Sequence, residues 1–362
     1  MLNIEQIFLY LIIMVKNDSS PLVSIIILNY NAGNLLLDCV DSVFKSTYSN
    51  FEVLVVDNIS TDNSHITCKK KFEKIHLIEN KENLGYCEGN NVGIRNANGK
   101  FVVILNPDTI VEPDWLNHLM DAYNEFGEGL YQPKFFSLNE KSVLQSTGNM
   151  LHIFGFGFSR DKGKTGSEEI ESIEKINYAS GTCLFTSKTV LDKVGLLDPF
   201  LFLYHDDLDL GWRAAQIGIN SFYVPKSIIY HAESYSIKWS SKKFYWLERN
   251  RKYCLLTHYS KETYEKMRFS LFLVDLSVWL FYLSKGFLVA KISAELDIYR
   301  NREAIKNRYN QLEKVKTVSD KELIKKFPDE IFVPKNVSEP IFNHLFNNIV
   351  SRLSKKVKKK II

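Results

Sequence analysis

The chain has 362 residues, 45% hydrophobic and 24% charged, which is enough apolar material for a sizeable core and too much for disorder throughout. Five scattered cysteines, odd in number and without a C-x-x-C pair, argue against a disulfide framework and a cysteine zinc site. The net charge is +4, but residues 351–362 hold six Lys and Arg and no acid, so the body is near neutral and unsuited to broad nucleic-acid binding.

Ile7 to Val15 is apolar, yet too short to span a bilayer and preceded by Glu5 rather than a basic region. Residues 1–20 read as an N-terminal extension, with Met14 an alternative start. Without an export signal the expected location is cytoplasmic. Four β-rich runs come next: Leu22–Leu28, Phe51–Val56, Ile75–Ile78 and Phe101–Leu105. The first and last are continuously apolar, as strands buried on both faces are. A helical face of Leu35, Leu36, Cys39, Val40, Val43 and Phe44 and a second helix over 60–72 separate the first three runs. That alternation predicts an α/β fold with a parallel sheet.

From residue 131 short strands (131–136, 178–185, 221–224) surround a Gly- and charge-rich loop, 155–174. A helix is expected from Asp206 to Ile217, and beyond Lys242 the pattern is helical. Phe269–Ser284 is apolar on almost every face but, at 16 residues, short of the ~20 needed to span. It fits a buried core helix or a membrane-surface helix. Ile341, Phe342, Leu345, Phe346, Ile349, Val350 and Leu353 ahead of the terminal lysines read as an amphipathic anchor for an anionic membrane surface, each cation contributing ~1 kcal/mol. A solubilising tail is the alternative.

Ligands of open parallel sheets bind outside the carboxyl ends of the strands. Each of the first four expected strands runs into polar residues: Asn29-Tyr30-Asn31, then Asp57-Asn58, then Asn80, Asn83 and Gly85, then Asn106-Pro107-Asp108. Each alone is ordinary turn chemistry, but four fall at one edge. No G-x-G-x-x-G succeeds the first strand and no P-loop occurs, which weakens a dehydrogenase reading. A nucleotide's phosphates then call for a metal, and Asp108 is a hard carboxylate suited to Mg²⁺ or Mn²⁺. His231 could complete that site. In Tyr204-His205-Asp206-Asp207-Leu208-Asp209, helix capping and an Asp209–Arg213 pair account for Asp209 but leave Asp206 and Asp207 free for acid–base work.

Together these elements resemble the inverting glycosyltransferases of family two, rhamnosyltransferase-like members included. The resemblance runs over residues 22–255 through Ser24–Asn31, Val55–Asp62, Glu82–Tyr86 with Gly89–Gly93, Leu105–Thr109, Gly181–Phe185, Asp198–Leu210 and His231. It implies a GT-A fold: a mixed, mostly parallel sheet flanked by helices, with a helical C-terminal extension. The domain would cover 21–255 (nucleotide-binding half 21–110, acceptor half 111–255), with the extension at 256–340 and the basic tail at 341–362. The implied nucleotide-binding residues are Asn29, Tyr30, Asn31, Asp57, Asn83, Gly85 and Asn90, with Asp57 on the pyrimidine. Asp108 and His231 would hold a divalent cation, Mg or Mn. Asp207 would be the general base, and Asp206 and Tyr204 would bind the acceptor. The implied partners are a nucleotide-sugar donor and a glycan or lipid-linked acceptor, with the enzyme at the inner membrane surface if the tail docks there. A non-catalytic nucleotide-sugar binder of the same fold is the alternative. Asn106, Ile59 and Glu233 depart from the family pattern.

Overall fold

The computed structural model describes residues 20–165, 170–232, 240–331 and 340–362, the side chains of 340–343 excepted. The Ile7–Val15 segment, Met14 and Glu233 lie outside the described residues. The first half alternates as the pattern requires: β1 (Val23–Asn29), α1 (Asn34–Phe44), β2 (Phe51–Asp57), α2 (Ser64–Lys71), β3 (His76–Glu79), α3 (Gly85–Asn96) and β4 (Phe101–Leu105). The strands lie parallel in the order β3-β2-β1-β4. β1 is apolar throughout because successive side chains enter different cores. Val23, Ile25 and Ile27 pack on α1 residues such as Leu36 and Val40, whereas Ile26 and Leu28 join a second core beneath the opposite face.

α2 starts four residues later than the sequence pattern indicates, because side-chain hydrogen bonds hold Ser60–Asn63 as a loop. Thr61 N donates to Asn31 Oδ1 (2.7 Å), and Ser64 N donates to Asp62 Oδ1 (3.0 Å). Such local bonds compete with helical ones.

The second half extends the sheet. β5 (Thr109–Val111) and α4 (Trp115–Phe126) lead to β6 (Gly129–Ser137), β7 (Leu144–Ser146), β8 (Asn149–Leu151), β9 (Gly157–Ser159), β10 (Glu174–Ile176) and β11 (Cys183–Ser187). Then come α5 (Lys188–Val194), a 3₁₀ turn at Pro199–Leu201, α6 (Asp206–Gln216) and β12 (Asn220–His231). β11 is wedged antiparallel between β4 and β6, and β12 runs parallel to β6, giving a mixed sheet. The short run expected at 221–224 is the first part of a longer strand, β12. Its register shifts between Val224 and Ile228, where Pro225 has no N–H for the ladder.

The remainder is helical: α7 (Ser241–His258), α8 (Lys261–Ser284), α9 (Leu288–Arg300), α10 (Arg302–Val315), α11 (Asp320–Lys325) and α12 (Pro340–Ile361). α7 packs against α9 and α10, and α12 packs against α8. One continuous core joins Ile26 and Leu28 of β1 to Trp212 of α6, Tyr253 of α7, Val274 of α8 and Val350 of α12. The residue-255 boundary therefore falls inside a helix whose side chains belong to that core. The apolar set of the tail is divided: Val350 and Val357 are buried against the body, while Leu345 and Ile349 face outward. Ser354 Oγ donates to Asp329 Oδ1 (2.7 Å), and Lys358 pairs with the same carboxylate (2.8 Å). α12 is thus a docked helix, with its most deeply buried side chains unavailable to a membrane.

Candidate active site

A cleft of about 420 Å³ opens over the carboxyl ends of β1 and β4. That is the position where reversal of strand order leaves a crevice. Tyr30, Asn83, Gly85 and Asp108 line it from the first half; Tyr204, Asp206, Asp207 and His231 line it from the second. Two acidic groups about a hundred positions apart in the chain therefore face one space. Asn29, Asn31, Asp57 and Asn90 do not line it.

Those four residues build the surroundings instead. Asn29 and Asp57 are register partners at the ends of β1 and β2, and Asn29 Nδ2 donates to Asp57 Oδ1 (2.7 Å). Ser60 N donates to Asp57 Oδ2 (2.8 Å), so each carboxylate oxygen already accepts one hydrogen bond. Asn31 N donates to Ser60 Oγ (2.9 Å). Asn90 is fully buried in α3 and donates to Tyr86 O (2.9 Å). Gly85 opens α3 with φ +73°, and a Cβ there would stand 2.5 Å from the Phe202 ring. The α3 amides of Tyr86 and Cys87 donate to the Phe202 carbonyl (2.6 and 3.3 Å). That helix start is consequently filled by protein, and its first amides serve the loop 200–204.

Asp108 lies just beyond β4, and His231 ends β12. Their side chains meet with His231 Nε2 3.3 Å from Asp108 Oδ2, both largely buried but open to the cleft. Ala232 N donates to the Asp108 carbonyl (2.9 Å), locking the two chain segments together. The other ring nitrogen, Nδ1, lies 2.9 Å from Gln145 Oε1, and Gln145 Nε2 donates to His231 O (2.9 Å). With Nδ1 donating to Gln145, Nε2 is the nitrogen left to face Asp108 and a cation. One carboxylate oxygen and one imidazole nitrogen, held this way beside open space, suit a divalent cation that takes its remaining ligands from phosphate and water. Among the described residues two clusters have metal-ligand spacing, and both already hold a cation: Asp209 of the Asp209, Cys254 and His258 group pairs with Arg213, and Glu248, Asp275 and Glu295 pair with Lys291.

Asp206 and Asp207 open α6, where the helix dipole favours negative charge. Asp207 accepts from Gly181 N (3.0 Å) and Leu208 N (2.8 Å). Burial, then the neighbouring Asp207 charge, pushes the Asp206 carboxyl well above the usual range. Burial also raises Asp207, against the pull of its amide partners. Two adjacent buried carboxylates do not both ionise readily; Asp207, with its two amide partners, is the easier of the pair to ionise.

The segment before the pair is strained. Phe202, Tyr204 and His205 have φ of +61°, +67° and +62°, at a cost of order 1–3 kcal/mol each. α7 holds it in place. Asn250 Nδ2 lies within hydrogen-bond reach of the carbonyls of Leu201 (3.0 Å), Leu203 (2.8 Å) and Tyr204 (2.7 Å). Arg249 Nη2 donates to the carbonyls of Phe200 and Leu201. Trp246 stacks on Phe202 at 5.0 Å. Arg213, beneath, pairs with Asp209 (2.8 Å) and donates to the carbonyls of residues 194–196. Sequence reasoning does not single out Asn250, Arg249 or Gln145. They carry no spacing signal and act through contacts made across the fold. Gly181 lies within the Gly181–Phe185 motif, though its amide cannot be paired with Asp207 from the sequence.

Residues 24–195 match the family model described as glycosyl transferase family 2. Among curated proteins, the low-salt glycan biosynthesis hexosyltransferase Agl10 of Haloferax volcanii is 26% identical over 54% of this chain and 62% of its own length. An N-acetylglucosaminyl-diphospho-decaprenol L-rhamnosyltransferase of Mycobacterium tuberculosis is 26% identical over 60% of this chain and 78% of its own. The chain spans only 25% of the uncharacterized protein y4gI of Sinorhizobium fredii, and so covers less than two thirds of the first of these relatives. A crystal structure of GalNAc-T7 with UDP, GalNAc and Mn²⁺ superposes with a TM-score of 0.51 at 15% identity, covering 68% of this chain and 52% of that one. The shared architecture is the GT-A fold.

Proposed function

We propose, from the match of residues 24–195 to glycosyl transferase family 2, that the chain is an inverting transferase using a nucleoside-diphosphate sugar. The favoured donors are dTDP-rhamnose and UDP-sugars. The acceptor is a hydroxyl of a glycan or lipid-linked glycan, in the synthesis of a surface polysaccharide or glycolipid. The observation that carries this reading is the facing of Asp108 and His231 with Asp206 and Asp207 across one cleft.

Asp57, buried at the end of β2 beneath the cleft, would accept the N3–H of uracil or thymine, with Asn29, Tyr30 and Asn31 beside it. Asn83 and Gly85 shape the donor side of the cleft, and Asn90 supports them from within α3. Asp108 and His231 would hold Mg²⁺ or Mn²⁺, which when bound offsets negative charge on a departing diphosphate. Asp206, protonated, donates a hydrogen bond to an acceptor oxygen, and Tyr204 flanks it. Asp207 takes the acceptor's hydroxyl proton. The acceptor oxygen then bonds to the anomeric carbon as the bond from that carbon to the diphosphate oxygen breaks, its electron pair leaving with the diphosphate. A single displacement of this kind inverts the anomeric centre.

The test is a nucleotide-sugar panel read by thermal shift with and without Mn²⁺, then NMR assignment of the product anomer. Inversion with a pyrimidine donor is expected. A retained configuration overturns the displacement. Donor binding with neither hydrolysis nor transfer to any acceptor returns the chain to the non-catalytic binder.

A further inference from the structure

The helical hairpin farthest from the chemistry carries an apolar surface that the rest of the fold leaves open. On α8, Phe269 (66% exposed), Phe272, Leu276, Leu280 and Leu283 fall at helical spacing on one side. This stripe is about 21 Å long at 1.5 Å per residue. After the turn at Lys285–Phe287, α9 continues it with Val289 (73% exposed), Ile292, Leu296 and Tyr299. α12 packs on α8 without covering the stripe. An apolar face of this extent is uncommon on a soluble monomer.

Charges in the hairpin are sorted by side. Within the stripe of α8 the single charged residue is Asp275, and it turns inward to Lys291 Nζ (2.8 Å). Lys291 is fully buried and also pairs with Glu248 (2.6 Å) and Glu295 (2.7 Å). Asp297 faces Arg249 (3.3 Å) and accepts from Tyr245 OH (2.9 Å). At the start of α8, Glu262 pairs with Lys266 (2.7 Å) and Glu265 with Arg268 (3.6 Å), leaving Lys261; at the turn and the end of α9 the exposed charges are Lys285, Arg300 and Arg302, with Glu303 beside them. The result is an uncharged face with a mainly basic rim.

We infer that the α8–α9 hairpin is a membrane-docking surface that lies in the plane of an anionic bilayer interface. α8 is long and apolar enough to cross a bilayer by composition, but its Val274, Val278 and Tyr282 are buried in the protein core. One side of the helix is committed to protein, so it lies on the surface rather than spanning. The basic rim selects the occupant. Anionic headgroups neutralise it, whereas a second copy docked about a two-fold axis would bring the same cations together. The hairpin takes the place of the tail as anchor, since α12 spends Val350 and Val357 on the body.

The experiment is co-sedimentation of the full chain with phosphatidylcholine vesicles, with and without phosphatidylglycerol, alongside sedimentation velocity. The wild type is expected to be a monomer that pellets with the anionic vesicles and is released by salt. Leu276→Glu/Leu280→Glu, and separately Lys285→Glu/Arg300→Glu, should each weaken binding at least about tenfold. Both pairs are exposed, so thermal midpoints and donor hydrolysis should stay at wild-type values. Lys359→Ala/Lys360→Ala should retain most binding. No vesicle binding by the wild type, or unchanged binding by both glutamate variants, overturns the inference. So does a wild-type dimer that Leu276→Glu/Leu280→Glu splits, or binding lost on deletion of residues 1–19 while both glutamate variants keep it.

Discussion

The Asn250 side-chain amide donates to the backbone carbonyl of Tyr204 at 2.7 Å, which ties α7 to the chain two residues ahead of Asp206. The same amide reaches two more carbonyls of a segment whose Phe202, Tyr204 and His205 are all left-handed. A strained segment persists only where its surroundings over-determine it. Asn250 is therefore a positioning residue for the carboxylate pair. Asn250→Ala should lower kcat by roughly 10²-fold, the cost of a misplacement near 1 Å, with donor KM nearly unchanged. Asn250→Asp, equal in size but without the N–H donors, should fare no better. Steady-state kinetics with a donor titration separates this from general destabilisation, which would lower the active fraction without distinguishing the two parameters.

Asp207 and Asp206 should differ in their variants. Asp207→Asn removes the proton acceptor and should reduce turnover about 10²–10⁴-fold while donor binding by thermal shift persists. Asp206→Asn keeps a hydrogen-bond donor where the protonated acid had one, so its main effect should fall on acceptor KM. Equal loss of kcat in the two variants would contradict these separate roles.

The acidic limb of kcat/KM should lie above the range of an ordinary carboxylate, because burial raises Asp207 and activity needs it ionised. Asp206 has a consequence for stability as well. Burial and then Asp207 raise it in the folded protein, so between the unfolded and folded pKa values the unfolded chain has lost a proton that the native state keeps. Stability from this group is complete below the unfolded pKa and falls as pH rises through the folded one. Thermal midpoints near neutral pH should therefore be higher for Asp206→Asn than for the wild type, with the difference gone in acid.

Asp209 has the opposite sign. Burial opposes its charge, but Arg213 and then His258 overcome that and hold the carboxyl far below its usual range. Its contribution is present above the unfolded pKa and is lost as pH falls. Asp209→Asn leaves Arg213 buried without its counter-ion and should cost about 3–5 kcal/mol at neutral pH, read by chemical denaturation.

If His231 holds the cation as proposed, Gln145→Ala should raise the Mn²⁺ concentration needed for half-maximal activity about 10–100-fold, since outer partners of a ligating histidine orient its ring. His231→Ala should exceed that effect. Manganese titration of both variants, with paramagnetic relaxation as a readout independent of turnover, measures it.

Much of the first half is legible in the primary structure. Its strands are short apolar runs, its turns carry Asn, Asp and Gly, and both signals are local. Asp206 and Asp207 stand out because capping and the Asp209–Arg213 pair explain their neighbour but not them, and that pair forms at 2.8 Å. The start of α2 and the single strand β12 escape a local reading for a shared reason: hydrogen bonds from Asn31 and the ladder with β6 reach residues distant in sequence. Asn250, Arg249 and Gln145 give no signal because an amide or guanidinium declares its role only through what it meets.

By itself the amino-acid sequence determined the alternation of strand and helix, the polar edge and the two carboxylate sites, since hydrophobic periodicity and turn chemistry act over a few residues. Tertiary structure alone decided that Asp108 and His231 meet, that Asp206 is buried beside Asp207, that α7 clamps a left-handed segment, and that α8 buries one side and exposes the other. Burial and long-range hydrogen bonding set each of these, and neither exists until the chain has packed.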